Sequence, residues 1–136
     1  MAVTSGRGIR PERPLSPHLQ IYSPLINMVM SIVHRITGAA LYFGTLLLAW
    51  WLIAAATGPD AYTYFLSWCD TWLGKLVLLG YTWVLMHHMM GGIRHFIWDS
   101  GIGYDLETVD LLSWGSLAAS LSLTAVIWIC VAMGIV

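Results

Sequence analysis

The sequence predicts an all-α membrane protein with three transmembrane helices in up-down-up order. Of its 136 residues, 58% are hydrophobic and only 10% are charged, whereas a soluble domain carries about 25% charged residues. Three apolar stretches are each long enough to cross a bilayer, which takes about 20 residues. The formal net charge of −1 gives no reason to expect a nucleic acid as partner, and we expect none.

The first predicted helix covers residues 25–56 and follows a polar N-terminal segment, residues 1–24. Pro24 is expected in the first turn, where its missing N–H does no harm, with Ser23 as N-cap. No charged residue occurs from 37 to 56, and the turn sequence "TGPD" at 57–60 ends the helix.

Two further helices are predicted at about 74–98 and 111–135, so that residues 25–136 form one transmembrane domain. The aromatic stretch 61–72 precedes the second helix. Because Trp and Tyr favour the headgroup level, we expect this stretch to lie at the membrane interface.

The basic residues predict the orientation in the membrane. Arginines precede or open the first helix and end the second, and only Lys75 lies at the opposite face; these arginines are Arg7, Arg10, Arg13, Arg35 and Arg94. The positive-inside rule then places the N-terminus in the cytoplasm and the C-terminus in the periplasm. The first apolar stretch comes too late and is too long for a secretory signal, so we expect a multi-pass protein of a bacterial inner membrane.

Cys69 and Cys130 form no CxxC or CxxCH motif, which leaves no cysteine-based metal site and no covalent haem attachment. Any metal or haem would need other ligands.

The stretch "SIVHRITG" at 31–38 places polar residues near the start of an otherwise apolar helix. A charge near the bilayer centre costs at least about 2.5–3.5 kcal/mol, so one inside a spanning helix usually has a function.

The polar residues of the first two helices are expected at the same membrane face, because antiparallel helices bring the start of one beside the end of the other. Ser31 and Arg35 lie four residues apart and therefore share a helix face. Arg35 and Arg94 could instead simply extend to lipid phosphates, which would leave the neighbouring serine and histidines unexplained.

The second helix carries "LMHHMMGGIRHFIWD", in which His88, Gly92, His95 and Asp99 share one face. His88 is expected about 10 Å deeper in the membrane than His95. A neutral imidazole buried at that depth is a good iron ligand. The paired glycines would let a flat macrocycle or another helix come close, and small-residue helix packing is the alternative explanation to haem. A hydrogen bond from His88 to a neighbouring helix is the corresponding alternative to haem.

A second axial ligand is harder to find in this chain. The third helix has no histidine, and His34 is expected nearer the cytoplasmic end, at the wrong depth to face His88. Either the iron is five-coordinate or another chain supplies the second ligand. Three helices also cover little of a haem, which favours a partner subunit.

Two long motifs resemble the cytochrome b membrane-anchor subunit of succinate dehydrogenase, the larger anchor of complex II. They are "RPLSPHLQIYSPLINMVMSIVHRIT" at 13–37 and "HMMGGIRHFIWDSG" at 88–101. The order of the two motifs and the three predicted spans also match this family. The third helix resembles the family only in being an apolar span.

The resemblance implies specific residue roles. His88 matches the axial haem ligand, since the glycine, arginine and histidine that follow it fall in register from His88 and not from His87. Ser31 and Arg35 match quinone-site residues. His34, with Arg35 and His95, corresponds to the region of the haem propionates.

The resemblance also implies the wider assembly. A flavoprotein subunit would oxidise succinate, and an iron–sulfur subunit would pass electrons to a quinone held here. This chain and a second membrane-anchor subunit would share haem b in one helix bundle within the membrane lipid. The alternatives are an anchor of a quinol:fumarate reductase, a haem-free structural anchor, and a small transporter subunit with an ion or proton site.

Overall fold

The computed structural model describes residues 14–135, without the side chain of Leu19. In this range the chain folds into four α-helices and a short 3₁₀ turn, with no strand. The helices are α1 (Ile26–Thr57), α2 (Pro59–Asp70), α3 (Trp72–Asp99) and α4 (Leu106–Ala132). Of these, α1, α3 and α4 are long and apolar enough to cross a membrane, which confirms the predicted all-α fold with three spans.

The N-terminal arginines Arg7, Arg10 and Arg13 lie outside the described residues. The predicted N-cap of the first helix is wrong, because Ser23 and Pro24 precede the helix and an extended Leu25 takes the N-cap position. The Asn27 side chain accepts from the Met28 amide at 2.8 Å. The Met28 amide also donates to the Leu25 carbonyl at 3.1 Å, so this first-turn amide has partners without a side chain from Ser23.

The last helix begins at Leu106, earlier than the predicted residue 111. Asp105 is its N-cap, with Oδ1 accepting from the Thr108 amide at 2.8 Å. Glu107 in the first turn is also favourable, because the helix dipole places partial positive charge there. The acidic residues before 111 therefore start the helix instead of preceding it.

The aromatic stretch before α3 forms the short helix α2. Gly58, between α1 and α2, has φ of 135°, a conformation that glycine adopts without strain. The chain can therefore turn at once, and Phe65 of α2 is buried against α1. Its ring meets the Trp50 ring edge-on, with centroids 4.9 Å apart.

Glycines allow α1 and α3 to pack closely. A Cβ at Gly44 would overlap the Tyr81 ring, and one at Gly91 would overlap the His34 ring. Such small residues commonly form the contacts between membrane helices. This packing places the first turns of α1 beside the last turns of α3, where the polar residues gather.

Polar side chains connect α3 to α4. Trp128 Nε1 of α4 donates to Thr82 Oγ1 at 3.3 Å, and Ser113, Ser116, Ser120 and Thr124 are buried along one side of α4. Inside an apolar bundle these groups need partners, because lipid offers none.

Candidate functional site

A groove of about 410 Å³ lies between the start of α1 and the end of α3. This volume falls within the usual range of small-molecule sites. The groove brings together Ser31, Arg35 and His95, three of the residues singled out in the sequence. Its lining residues are Asn27, Met28, Ser31, Ile32, Arg35, Arg94, His95 and Trp98.

Ser31 and Arg35 lie one turn apart on α1 and both line this groove. Arg35 is exposed and Ser31 is half-buried. Neither side chain forms a hydrogen bond or an ion pair with another residue of the described range. Their donors are therefore free for a ligand or a lipid headgroup.

Three histidines meet next to the groove. The rings of His34 and His88 are stacked, with centroids 4.0 Å apart and planes within 3° of parallel, and the His95 ring lies 5.3 Å from that of His34. The expectation that His34 lies at the wrong depth to reach His88 is wrong. His34 lies more than two turns inside α1, and close packing of the helices at Gly91 brings the two rings to one level.

The stacked arrangement does not make His34 the second axial ligand. Two axial histidines point their ring nitrogens at one iron from opposite sides, whereas these rings lie face to face at 4.0 Å. No iron fits between rings stacked at this distance.

The hydrogen bonds of His88 suit a metal ligand. The carbonyl oxygen of His34 can only accept, so His88 Nδ1, 3.2 Å away, is the donor. Thr37 Oγ1 donates to the same carbonyl at 2.9 Å. With the proton on Nδ1, Nε2 carries the lone pair, and it has no hydrogen-bond partner within residues 14–135. Metal-bound histidines are typically oriented by such a carbonyl on the other ring nitrogen.

The neighbouring His87 is in a different environment. It is 2% exposed, and its Nδ1 lies 3.2 Å from Ser120 Oγ of α4. Its ring also packs at 5.3 Å from that of Trp83. A haem has no access to His87 without separating α3 from α4, so the geometry favours His88.

The two glycines after the histidine pair have separate surroundings. Gly91 contacts His34, as helix packing would require, whereas a Cβ at Gly92 would meet nothing within 4 Å. Gly91 therefore fits the explanation by close helix packing, whereas Gly92 has the open space that the approach of a flat macrocycle would need. Gly92 lies on the His88 face and leaves open space there.

The burial of Arg94 was not predicted from the sequence. This arginine is 3% exposed, and its Nη1 donates to Ser113 Oγ at 3.3 Å and to Ser116 Oγ at 3.5 Å. An arginine extending to lipid phosphates would be exposed, so that explanation does not fit Arg94. The spacing of the buried polar residues of α4 (113, 116, 120 and 124) could have indicated a polar face.

Comparison with known proteins identifies the family of this chain. Residues 9–127 match the family of succinate dehydrogenase/fumarate reductase transmembrane subunits. The chain belongs to this family. It is 41% identical over 114 residues to a succinate dehydrogenase cytochrome b556 subunit of Paracoccus denitrificans. The aligned residues make up 84% of this chain and 88% of that protein.

Two further relatives in this family extend the similarity. The cytochrome b556 subunit of Rickettsia bellii is 37% identical over 118 residues, covering 87% of this chain and 92% of the relative. The cytochrome b560 subunit of Reclinomonas americana is 33% identical over 124 residues, covering 86% and 85%.

The donor set of this family member fits haem better than a metal ion bound by side chains alone. Within residues 14–135, no three His, Cys, Asp or Glu side chains are placed to hold an ion together. Haem iron needs only an axial ligand from the protein, and His88 offers one unpaired ring nitrogen.

Proposed function

We propose that this chain is the cytochrome b membrane-anchor subunit of a succinate:quinone oxidoreductase, with haem b bound at His88 and quinone bound near Ser31 and Arg35. The names of the relatives support the assignment to succinate dehydrogenase. The observation that carries the haem assignment is the bond from His88 Nδ1 to the His34 carbonyl, which leaves Nε2 unpaired. When bound, the haem supplies a one-electron carrier beside the groove.

The surroundings of His88 support the position of the haem. Gly92 leaves room for the macrocycle on the same face. His34 stacks on His88, and His95, which lines the groove, lies 5.3 Å from His34. The ring N–H groups of these two histidines, together with Arg35, would offset the propionate charges. Any further protein ligand to the iron would come from a second anchor subunit, because α4 carries no histidine.

The groove residues support quinone binding. A quinone carbonyl needs a donor as electrons arrive, and the Ser31 hydroxyl can donate to it. The Arg35 guanidinium would stabilise negative charge that develops on the oxygen. The proposed reaction requires the groove to open towards the cytoplasm. There a flavoprotein subunit would take electrons from succinate, and an iron–sulfur subunit would pass them to the quinone.

The haem assignment is tested with adjacent histidines in the purified membrane complex. His88→Ala should remove or strongly change the low-spin haem spectrum, because the iron loses its axial ligand. His87→Gln is the matched control; it keeps a polar group facing Ser120 and should leave the spectrum near normal. Loss of the spectrum in the His87 variant alone would contradict the assignment.

The quinone assignment is tested with Ser31→Ala combined with Arg35→Leu. Losing a donor to a developing oxyanion typically costs about 10²–10³ in rate, so quinone reduction should fall strongly. Succinate oxidation with an artificial acceptor that takes electrons upstream should persist. Thr45→Ala, whose hydroxyl bonds only to the Tyr42 carbonyl of its own helix, is the control. Unchanged quinone reduction in a double variant that still contains haem would exclude this site. Whether the complex works in the reverse direction is tested separately, by measuring fumarate reduction with a low-potential quinol.

A further inference from the structure

Arg94 is a buried cation whose charge the described chain does not balance. The side chain is 3% exposed, and arginine keeps its charge in proteins. The ion pair formed within residues 14–135 joins Lys75 to Asp70, far from Arg94 in the chain. Since burying an unpaired charge is expensive, such a residue usually has an anionic partner.

The contacts of Arg94 orient it without neutralising it. Ser113 Oγ donates to the Val109 carbonyl at 2.8 Å, and Ser116 Oγ donates to the Ser113 carbonyl at 2.9 Å. Both hydroxyls therefore present lone pairs to Arg94 Nη1. The guanidinium carbon also lies 5.2 Å from the centre of the Trp98 ring. All three contacts are with neutral groups.

The remaining nitrogens of Arg94 have no hydrogen-bond partner within residues 14–135. Nε is enclosed and has no hydrogen-bond partner in the described range. Nη2 is not enclosed and forms no hydrogen bond there either. Arg94 lines the same groove as Ser31, Arg35 and His95, so a positioned cation without an ion-pair partner in the described range lines this groove.

We propose that Arg94 binds an anionic oxygen at the α1–α3 groove, and that Ser113 and Ser116 of α4 are positioning residues that hold its guanidinium there. This inference rests on the proposed function, which supplies two sources of such an oxygen. One is the quinone oxygen that becomes negative on reduction, and the other is a haem propionate.

The test uses the purified membrane complex, with artificial-acceptor activity as the measure of intact upstream subunits. Arg94→Gln removes the charge, and the double variant Ser113→Ala, Ser116→Ala keeps the charge but frees the side chain. Ser122→Ala, an exposed serine of α4, is the matched control. The measurements are haem content, haem midpoint potential, and KM and kcat for quinone.

Each source of the oxygen has its own result. If it is the quinone, Arg94→Gln should lower kcat for quinone about 10²–10³-fold while the haem potential stays unchanged. If it is a propionate, the haem potential should fall, because the reduced haem loses a nearby positive charge. The serine double variant should change the same quantity in the same direction but by less. If the oxygen is the quinone's, kcat should fall about tenfold, as expected for losing hydrogen bonds to a charged group; if it is a propionate's, the haem potential should fall less than in Arg94→Gln.

Other results overturn the inference. If Arg94 only pairs with a carboxylate of a neighbouring subunit, assembly falls while the assembled fraction keeps wild-type kinetics and potential. If Arg94→Gln does not assemble at all, wild-type kinetics and potential in the serine double variant overturn it. A wild-type complex that lacks haem and quinone activity would instead refute the proposed function.

Discussion

Gly91→Ala should destabilise the contact between α1 and α3, although alanine is the better helix former. The added Cβ would overlap the His34 ring, which is itself stacked on His88 at 4.0 Å. The ring cannot retreat without breaking that stack, so either α1 moves or His34 leaves its position.

The magnitude follows from two opposing effects. Overpacking a well-packed contact typically costs about 1–3 kcal/mol, and replacing a helical glycine by alanine returns about 0.5–1 kcal/mol. We therefore expect a net loss of about 0–2.5 kcal/mol relative to the wild type, and a larger loss, about 1–3 kcal/mol, relative to a glycine substitution without the clash. The control is Gly80→Ala on the same helix, where a Cβ meets nothing within 4 Å, and only the stabilising effect should appear.

The assay is SDS titration of the protein in mixed micelles, followed by tryptophan fluorescence. The sharpest test is the double variant Gly91→Ala, His34→Ala. If the clash is with the His34 ring, the cost of the Gly91 substitution should largely disappear when that ring is removed, giving a strongly non-additive cycle. Additive effects, or a Gly91→Ala protein as stable as Gly80→Ala, would refute the steric argument.

Two further predictions concern the ends of the helices. The Thr108 amide donates to the Asp105 carboxylate and lowers the pKa of Asp105 below its ordinary value, so the cap stabilises α4 above the ordinary pKa and is lost as the pH falls through the lowered pKa. Asp105→Asn should keep the cap and remove this pH dependence, measured by hydrogen exchange of the first-turn amides of α4; a persisting dependence would assign it to another group. For the orientation, a reporter active only outside the cytoplasm should work when fused after residue 136 and fail when fused at Gly103, and the opposite result would invert the proposed topology.

Much of the fold was predictable from the sequence because a bilayer imposes a simple requirement on the chain. Long runs of apolar residues broken by short polar turns can only span as helices, since every backbone group must be satisfied internally. The 3.6-residue period then places Ser31 and Arg35 on one face, and the structure has them in one groove. The helix ends were less predictable, since local caps such as Asp105 decided them.

The tertiary structure alone decided which neighbour each helix face meets. His87 and His88 are adjacent in sequence, yet one bonds to Ser120 of α4 and the other to the His34 carbonyl of α1. Gly91 and Gly92 likewise meet a histidine ring and open space. Periodicity defines faces relative to a helix's own axis, and in an almost uniformly apolar chain it carries no information on the partner. The burial of Arg94 among the serines of α4 therefore depends on helix packing, which only the three-dimensional structure reveals.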